Sequence, residues 1–317
     1  MDNPFAGLRG QGAAIALLEA AVAQDRIAPA YLFAGPPGIG RSQAALGFTQ
    51  LLLTQGQDES KQSRITQNVR HRNHPDLLWV EPTYQHQGQR VTVSQAAELG
   101  INRKAPPQIR VEQVRELAEF LAQPPLEAQR CVVVLEDAET MAEAAANALL
   151  KTLEEPGRAT LILIAPSPER LLATLVSRCQ RIPFYRLSQA DLVAVLQANQ
   201  APPELLGDET LMAIAQGSPG EALRAWQEFQ AIPKTLLQPL LDWPRRPQEA
   251  LRLAKTISQE LMLETQLWLL DYLQFYHWQQ HRQAGHLQQL EAARQHLRRF
   301  AQPRLVWDCL LLSRLLV

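Results

Sequence analysis

At 317 residues, with 46% hydrophobic and 20% charged side chains, the chain holds enough apolar material for two or three buried cores. A formal net charge of −1 excludes an overall field that draws the protein to nucleic acid or an anionic membrane. Met1-Asp2-Asn3-Pro4 has no basic n-region and no apolar run approaches about 18 residues, so neither a secretory leader nor a spanning segment is expected.

Gly10-Gln11 opens a first helix, with Ala14, Leu17, Leu18, Ala21 and Val22 at helical spacing. Ile27-Ala28-Pro29 ends it. Residues 31–34 read as a short buried strand, Gly35, Gly38 and Gly40 as a tight loop, and residues 43–53 as a helix. Strand, glycine loop and helix start make a phosphate cradle, because loop amides and a helix N-terminus both turn positive dipole ends toward an anion. From Gly35 through Gly40 to Ser42 the spacing is that of a P-loop, G-x-x-x-x-G-K-[ST], with Arg41 where the lysine belongs. A planar guanidinium does not replace a compact ammonium at a close-packed phosphate site. The scaffold is that of a nucleotide site, and Arg41 argues against its full chemistry.

Residues 54–73 turn polar and read as a linker or surface excursion. His71 and the following His74 lack any cysteine or carboxylate pattern for a metal. Residues 77–80 are strand-like, 82–107 a loop with one short hairpin, and 111–121 an amphipathic helix. The run 131–135 is apolar and ends in Glu136-Asp137, which places two carboxylates where open α/β sheets hold ligands. Alone, such acids are solvated. After a P-loop they read as a Walker B pair, one acid on the waters of Mg²⁺ and the next on an attacking water. A helix over 143–155 stops at Pro156-Gly157, and a strand follows over 160–165. Residues 171–176 lead to Ser177-Arg178-Cys179 and a short apolar piece, 182–184. This alternation predicts a doubly wound parallel sheet.

Beyond Tyr185 the strands stop. Residues 191–196, 209–215 and 220–229 read as short helices, with Gly217-Ser218-Pro219-Gly220 opening the last, and 233–317 as helical to the end. Trp268, Tyr272 and Phe275 form a core stripe, and Arg294, Arg298 and Arg299 a solvated basic edge. Cys131, Cys179 and Cys309 are isolated, which suggests a reducing cytoplasm and excludes a CxxC-type zinc site.

NALLKTLEEP (147–156), then a strand and SRC (177–179), resemble the clamp-loader branch of the AAA+ ATPases. LRGQ (8–11), IRVEQVRELAEFL (109–121) and GSPGEAL (217–223) fit the same branch. The resemblance implies an AAA+ nucleotide-site domain over 1–181, a helical lid over 182–232, and a helical collar for oligomerisation over 233–317. Four positions depart from the ATP-hydrolysing gamma/tau subunits of the bacterial DNA polymerase III clamp loader. Arg41 is the first. Their Asp-Glu falls on Glu136-Asp137, a pair inverted in length, and a base misplaced on the order of 1 Å costs about 100-fold. Pro166-Ser167 replaces their sensor threonine, and Gly220 the arginine that senses the γ-phosphate.

Gly35, Gly38, Gly40, Arg41, Ser42, Glu136 and Asp137 then form a degenerate nucleotide site, and no intrinsic ATPase is expected. Arg178, the SRC arginine, is retained. The resemblance makes it a trans arginine finger for a neighbour's ATP site, a role worth about 10³–10⁵ in rate; the plainer role is an ion pair with a nearby carboxylate. Implied partners are gamma/tau and delta, and indirectly the sliding clamp and primed DNA. No cofactor is required, weak ATP or ADP with Mg²⁺ stays open, and no zinc is expected because residues 54–73 occupy the place of a four-cysteine module. Two alternatives stand: an active gamma/tau-like ATPase that tolerates Arg41, and an unrelated P-loop phosphotransferase.

Overall fold

The computed structural model describes residues 3–99, 106–154, 157–281, 284–313 and 315. The chain forms two compact units that meet between Asp191 and Leu192. In the first lie α1 (Gly12–Ala23), β1 (Ala30–Ala34), α2 (Arg41–Thr54), α3 (Glu59–Arg70), β2 (Leu77–Val80), β3 (Thr83–His86), β4 (Gln89–Thr92) and α4 (Val93–Glu98). They are followed by α5 (Val111–Leu121), β5 (Cys131–Leu135), α6 (Glu143–Glu154), β6 (Ala159–Ala165), α7 (Ala173–Val176) and β7 (Gln180–Pro183).

Five strands form one sheet in the order β2-β5-β6-β1-β7, every neighbouring pair parallel. Strands buried on both faces must be apolar throughout, and β5 and β6 are: all their residues are buried. Alternation sends side chains to opposite faces. Leu32 of β1, Val133 and Leu135 of β5 and Leu161 and Leu163 of β6 share a core with Val114 and Leu117 of α5 and Leu149 and Leu153 of α6. Tyr31 and Phe33 meet Phe48 of α2 instead, at ring separations of 4.9 and 6.4 Å. The sheet is thus covered on both faces. It is the expected doubly wound parallel sheet.

The chain over 54–73 departs from the expected linker. It forms α3, whose buried Ile65 and Val69 stand one turn apart and dock the helix on α2. Glu59 in the first turn and Arg70 in the last suit the helix dipole. Between β2 and α5 the expected hairpin is present. Gln87 (φ +49°) and Gly88 (φ +81°) take left-handed conformations, as a two-residue turn between right-twisted strands requires. Thr83 and Gln108 exchange two backbone hydrogen bonds, 3.0 and 3.1 Å, at the root of this excursion. The part of that loop at 100–105, the end of the expected 143–155 helix with Pro156, and positions 314, 316 and 317 lie outside the described residues. Below the sheet Asp76, 1% exposed, accepts the backbone N–H groups of Leu126, Glu127 and Ala128 at 2.6, 2.8 and 2.7 Å.

The second unit is helical. The helix α8 (Gln189–Ala198) runs across the boundary and is followed by α9 (Pro203–Gly207), α10 (Glu209–Ala215) and α11 (Pro219–Ala231). Next come α12 (Lys234–Leu241), α13 (Pro247–Glu260), α14 (Leu263–His281), α15 (Ala284–Arg298) and α16 (Pro303–Ser313). Ser218 caps α11 by accepting the Glu221 N–H at 3.2 Å. The helices α10, α11, α12 and α15 all pack on α14, and α13 on α16. Of the aromatic stripe, Tyr272 is 3% exposed, and Trp268 and Phe275 are half-buried. Arg294 is more than a solvated edge, since it bonds Asp271 of α14 at 3.0 Å and Glu291, one turn back on α15, at 2.8 Å.

Candidate nucleotide site

The cradle is built from glycines that nothing larger can replace. A Cβ on Gly35 meets the Phe184 carbonyl oxygen at 2.5 Å, and one on Gly40 meets Leu8 Cδ1 at 2.4 Å. Gly38 (φ +72°) and Gly40 (φ +101°) bend the loop into the N-terminus of α2. Gln11, 2% exposed, secures it from the N-terminal side. Its Nε2 donates to the carbonyls of Ile39 (3.4 Å) and Tyr185 (2.7 Å), and its Oε1 accepts the Tyr185 N–H (3.1 Å).

The acidic half lies at the end of β5, and the structure brings it to the loop. Ser42 donates its hydroxyl to Glu136 Oε1 at 2.5 Å. Trp79 on β2 donates its indole N–H to Glu136 Oε2 at 2.8 Å. Arg72 lies 3.5 Å from that oxygen, stacks over the Trp79 ring at 4.0 Å and pairs with Glu81. Glu136 therefore has both oxygens engaged by protein donors.

Arg41 is buried, 6% exposed, and one of its terminal nitrogens has no hydrogen-bond partner. Burial lowers its pKa, while Asp137, Glu139 and Glu136 oppose that fall. Asp137 sits at φ +46° and accepts the Thr140 hydroxyl through its carbonyl at 2.7 Å. Burial and the neighbouring Glu136 push its carboxyl above the usual range, against the pull of Arg41. Glu139 shifts the same way through burial and Asp137. Arg41 thus lies in the field of three carboxylates, Asp137, Glu139 and Glu136.

Arg178 follows α7 and keeps apart from this cluster. It donates to Glu154 Oε1 at 2.9 Å and to the Thr174 carbonyl at 3.1 Å, with 39% of its side chain exposed. Ser167 precedes a 3₁₀ turn at Pro168–Arg170, and Gly220 lies in the first turn of α11. His74 is buried and accepts the Asp76 N–H at 3.1 Å, while His71 meets the Gln67 carbonyl at 2.8 Å. Among the described residues no three or more His, Cys, Asp or Glu side chains group as a metal site.

P-loop folds imply a magnesium nucleotide. The cradle suits a polyphosphate, and Ser42 and Glu136 are the hydroxyl and carboxylate that would hold the metal: Ser42 gives its proton to Glu136 Oε1 and keeps its lone pairs, while Trp79 and Arg72 engage Oε2. Trp79, Arg72, Glu139 and Gln11 escaped the sequence reading. Glu139 had a visible signal, a third acid two positions beyond the pair. Trp79 and Arg72 had none.

Residues 10–188 match the family described as "DNA polymerase III, delta subunit", and residues 190–314 match "Cyanobacterial DNA polymerase III delta prime, C-terminal domain". The chain is 37% identical over 205 residues to DNA polymerase III subunit delta' of Pseudomonas aeruginosa, covering 62% of this chain and 55% of the relative. It is 33% identical over 174 residues to the Bacillus subtilis subunit delta', covering 54% and 46%. The matched stretch thus spans about half the length of these relatives. Among solved structures, a DNA polymerase III gamma subunit-related protein of Thermotoga maritima superposes with a TM-score of 0.55 at 16% identity, covering 94% of this chain and 98% of that one, a likeness of fold. A glycine cradle at the end of β1, acids at the end of β5 and these two consecutive matches place the chain in the DNA polymerase III delta/delta-prime family.

Proposed function

We propose that the chain is a catalytically silent subunit of the DNA polymerase III clamp loader, which loads the sliding clamp onto primed DNA during replication. Its contribution to chemistry is Arg178, offered to the ATP site of a neighbouring gamma/tau-type subunit. The observation that carries this reading is Arg41, buried at 6% exposure where a P-loop places its lysine. A buried planar guanidinium does not stand in for the compact ammonium that a working site sets between phosphates. Arg178 supports the same reading. Its pair with the half-exposed Glu154 is of a kind worth at most about 1 kcal/mol, so the guanidinium exchanges that partner for a phosphate oxygen at little cost. The helices from α8 to α11 then act as lid and those from α12 onward as the collar of a hetero-oligomeric ring in the cytoplasm, with no zinc and no ATP turnover of its own.

Reconstituted complexes carrying Arg41→Ala or Arg178→Ala separately test the proposal. Arg178→Ala should lower ATPase and clamp loading, with one site losing most of its rate on the scale of about 10³ or more while the other sites continue. Arg41→Ala should leave turnover within about threefold, because that arginine touches no reacting phosphate on this reading. Greater damage from Arg41→Ala identifies an active ATPase and overturns the silent assignment.

A further inference from the structure

On the proposed reading Arg178 serves a neighbouring subunit, yet within its own chain it already has two partners. One terminal nitrogen donates to Glu154 Oε1 at 2.9 Å, and the other to the Thr174 carbonyl at 3.1 Å. Packing sets this meeting. Glu154 follows the buried Leu153 at the end of α6, and Arg178 stands between Val176 and Cys179, which pack into the same core. The fold therefore fixes how far apart the two backbones lie. Glu154 is also an acid in the last turn of a helix, where the carbonyl end of the dipole disfavours negative charge. Arg178 is the cation that offsets it.

We propose that Glu154 restrains the finger: it holds the Arg178 guanidinium on its own domain, so that the neighbour's ATP site turns over more slowly than a free arginine would allow. An arginine recognises a phosphate through its N–H groups, and Glu154 takes one edge of that fork. A carboxylate left beside the guanidinium also repels an incoming phosphate. Engagement of the phosphate thus requires release from Glu154, and release leaves an uncompensated acid at the end of α6. With 39% of the Arg178 side chain and 56% of the Glu154 side chain exposed, the restraint is a few-fold brake and no absolute block. The inference rests on the trans-finger reading and adds its regulation: the chain stores its finger, and a neighbour's phosphates draw it out.

Reconstituted clamp-loader complexes are assayed for ATPase without DNA, at about 50 mM and about 300 mM salt. Glu154→Gln keeps an acceptor for Arg178 but removes the charge. It should raise turnover of the complex roughly twofold at low salt, because one site gains up to about fivefold while the others are unchanged. The gain should shrink at high salt, which screens the pair in wild type. In an Arg178→Ala background Glu154→Gln should add nothing, since the two act as one unit. Glu116→Gln is the control: it breaks another exposed pair, with Arg90, and should match wild type at both salts. Turnover of Glu154→Gln at or below the wild-type rate overturns the restraint, and a fall makes Glu154 a residue that orients the finger. A gain that persists without Arg178 overturns it too. Arg178→Ala without effect sinks the trans-finger reading itself, whereas a damaging Arg178→Ala beside an inert Glu154→Gln removes only the restraint.

Discussion

His74 shows what one buried side chain does to pH dependence. It has no exposed side-chain surface, and burial lowers its pKa below 6.5 against the pull of Asp76 and Glu127. The unfolded chain therefore binds a proton that the folded chain refuses. Stability from this site is intact above about pH 6.5 and is lost as pH falls from there toward the folded value. Asp137 and Glu139 have raised values and the opposite sign: their contribution is present in acid and lost as pH rises through the raised pKa. His74→Asn keeps an acceptor for the Asp76 N–H and removes the titration. The drop in Tm between about pH 7.5 and about pH 5.5 should be smaller in His74→Asn than in wild type. Equal drops would assign the acid sensitivity elsewhere. At this scale the sequence showed Gly35 to Ser42 and Glu136 clearly, because spacing along one chain defines them. Trp79 reaches Glu136 only because β2 pairs with β5 with Val80 against Leu135, and spacing does not encode that register.

Elements were legible in proportion to their apolar periodicity. In α5, Val114 and Leu117 are buried where the amphipathic pattern put them, and β5 and β6 are continuous apolar runs. The helix α3 was missed because only Ile65 and Val69 are buried along its twelve residues. The polar remainder reads as loop until α2 is there to receive that pair. Ile65 is 1% exposed, so Ile65→Ala should cost about 2–4 kcal/mol in urea unfolding. Ser63→Ala, exposed on the same helix, should stay within about 0.5 kcal/mol. Similar costs for the two would mean that α3 is not anchored through its apolar face.

Over the whole molecule, the boundary between Asp191 and Leu192 decides which truncations hold together. The expected division at 232 falls inside the second unit, where Thr210 bonds Gln279 at 3.1 Å, Thr265 bonds Glu228 at 3.1 Å and Phe229 meets the Tyr272 ring at 5.5 Å. A fragment ending at Asp191 keeps the entire five-stranded sheet and should unfold cooperatively as a soluble monomer. One ending at 232 strips α10 and α11 from α14 and should bind a hydrophobic dye and aggregate. If the longer fragment proves the better behaved, α10 and α11 do not depend on α14. The sequence could suggest where strands give way to helices, but helices that pack across a proposed boundary carry no local mark of it.

The reciprocal pair Thr83–Gln108 gives the first unit a doorway. The chain departs beyond β2 and returns side by side just before α5, and Gln113 of α5 bolts the frame by donating to the Glu81 carbonyl at 2.8 Å and receiving the Thr83 hydroxyl at 3.2 Å. The β3–β4 hairpin is therefore a natural splice point, where a reporter, a cross-linking tag or a foreign domain can be inserted between Gln87 and Gly88 while the Thr83–Gln108 frame stays shut.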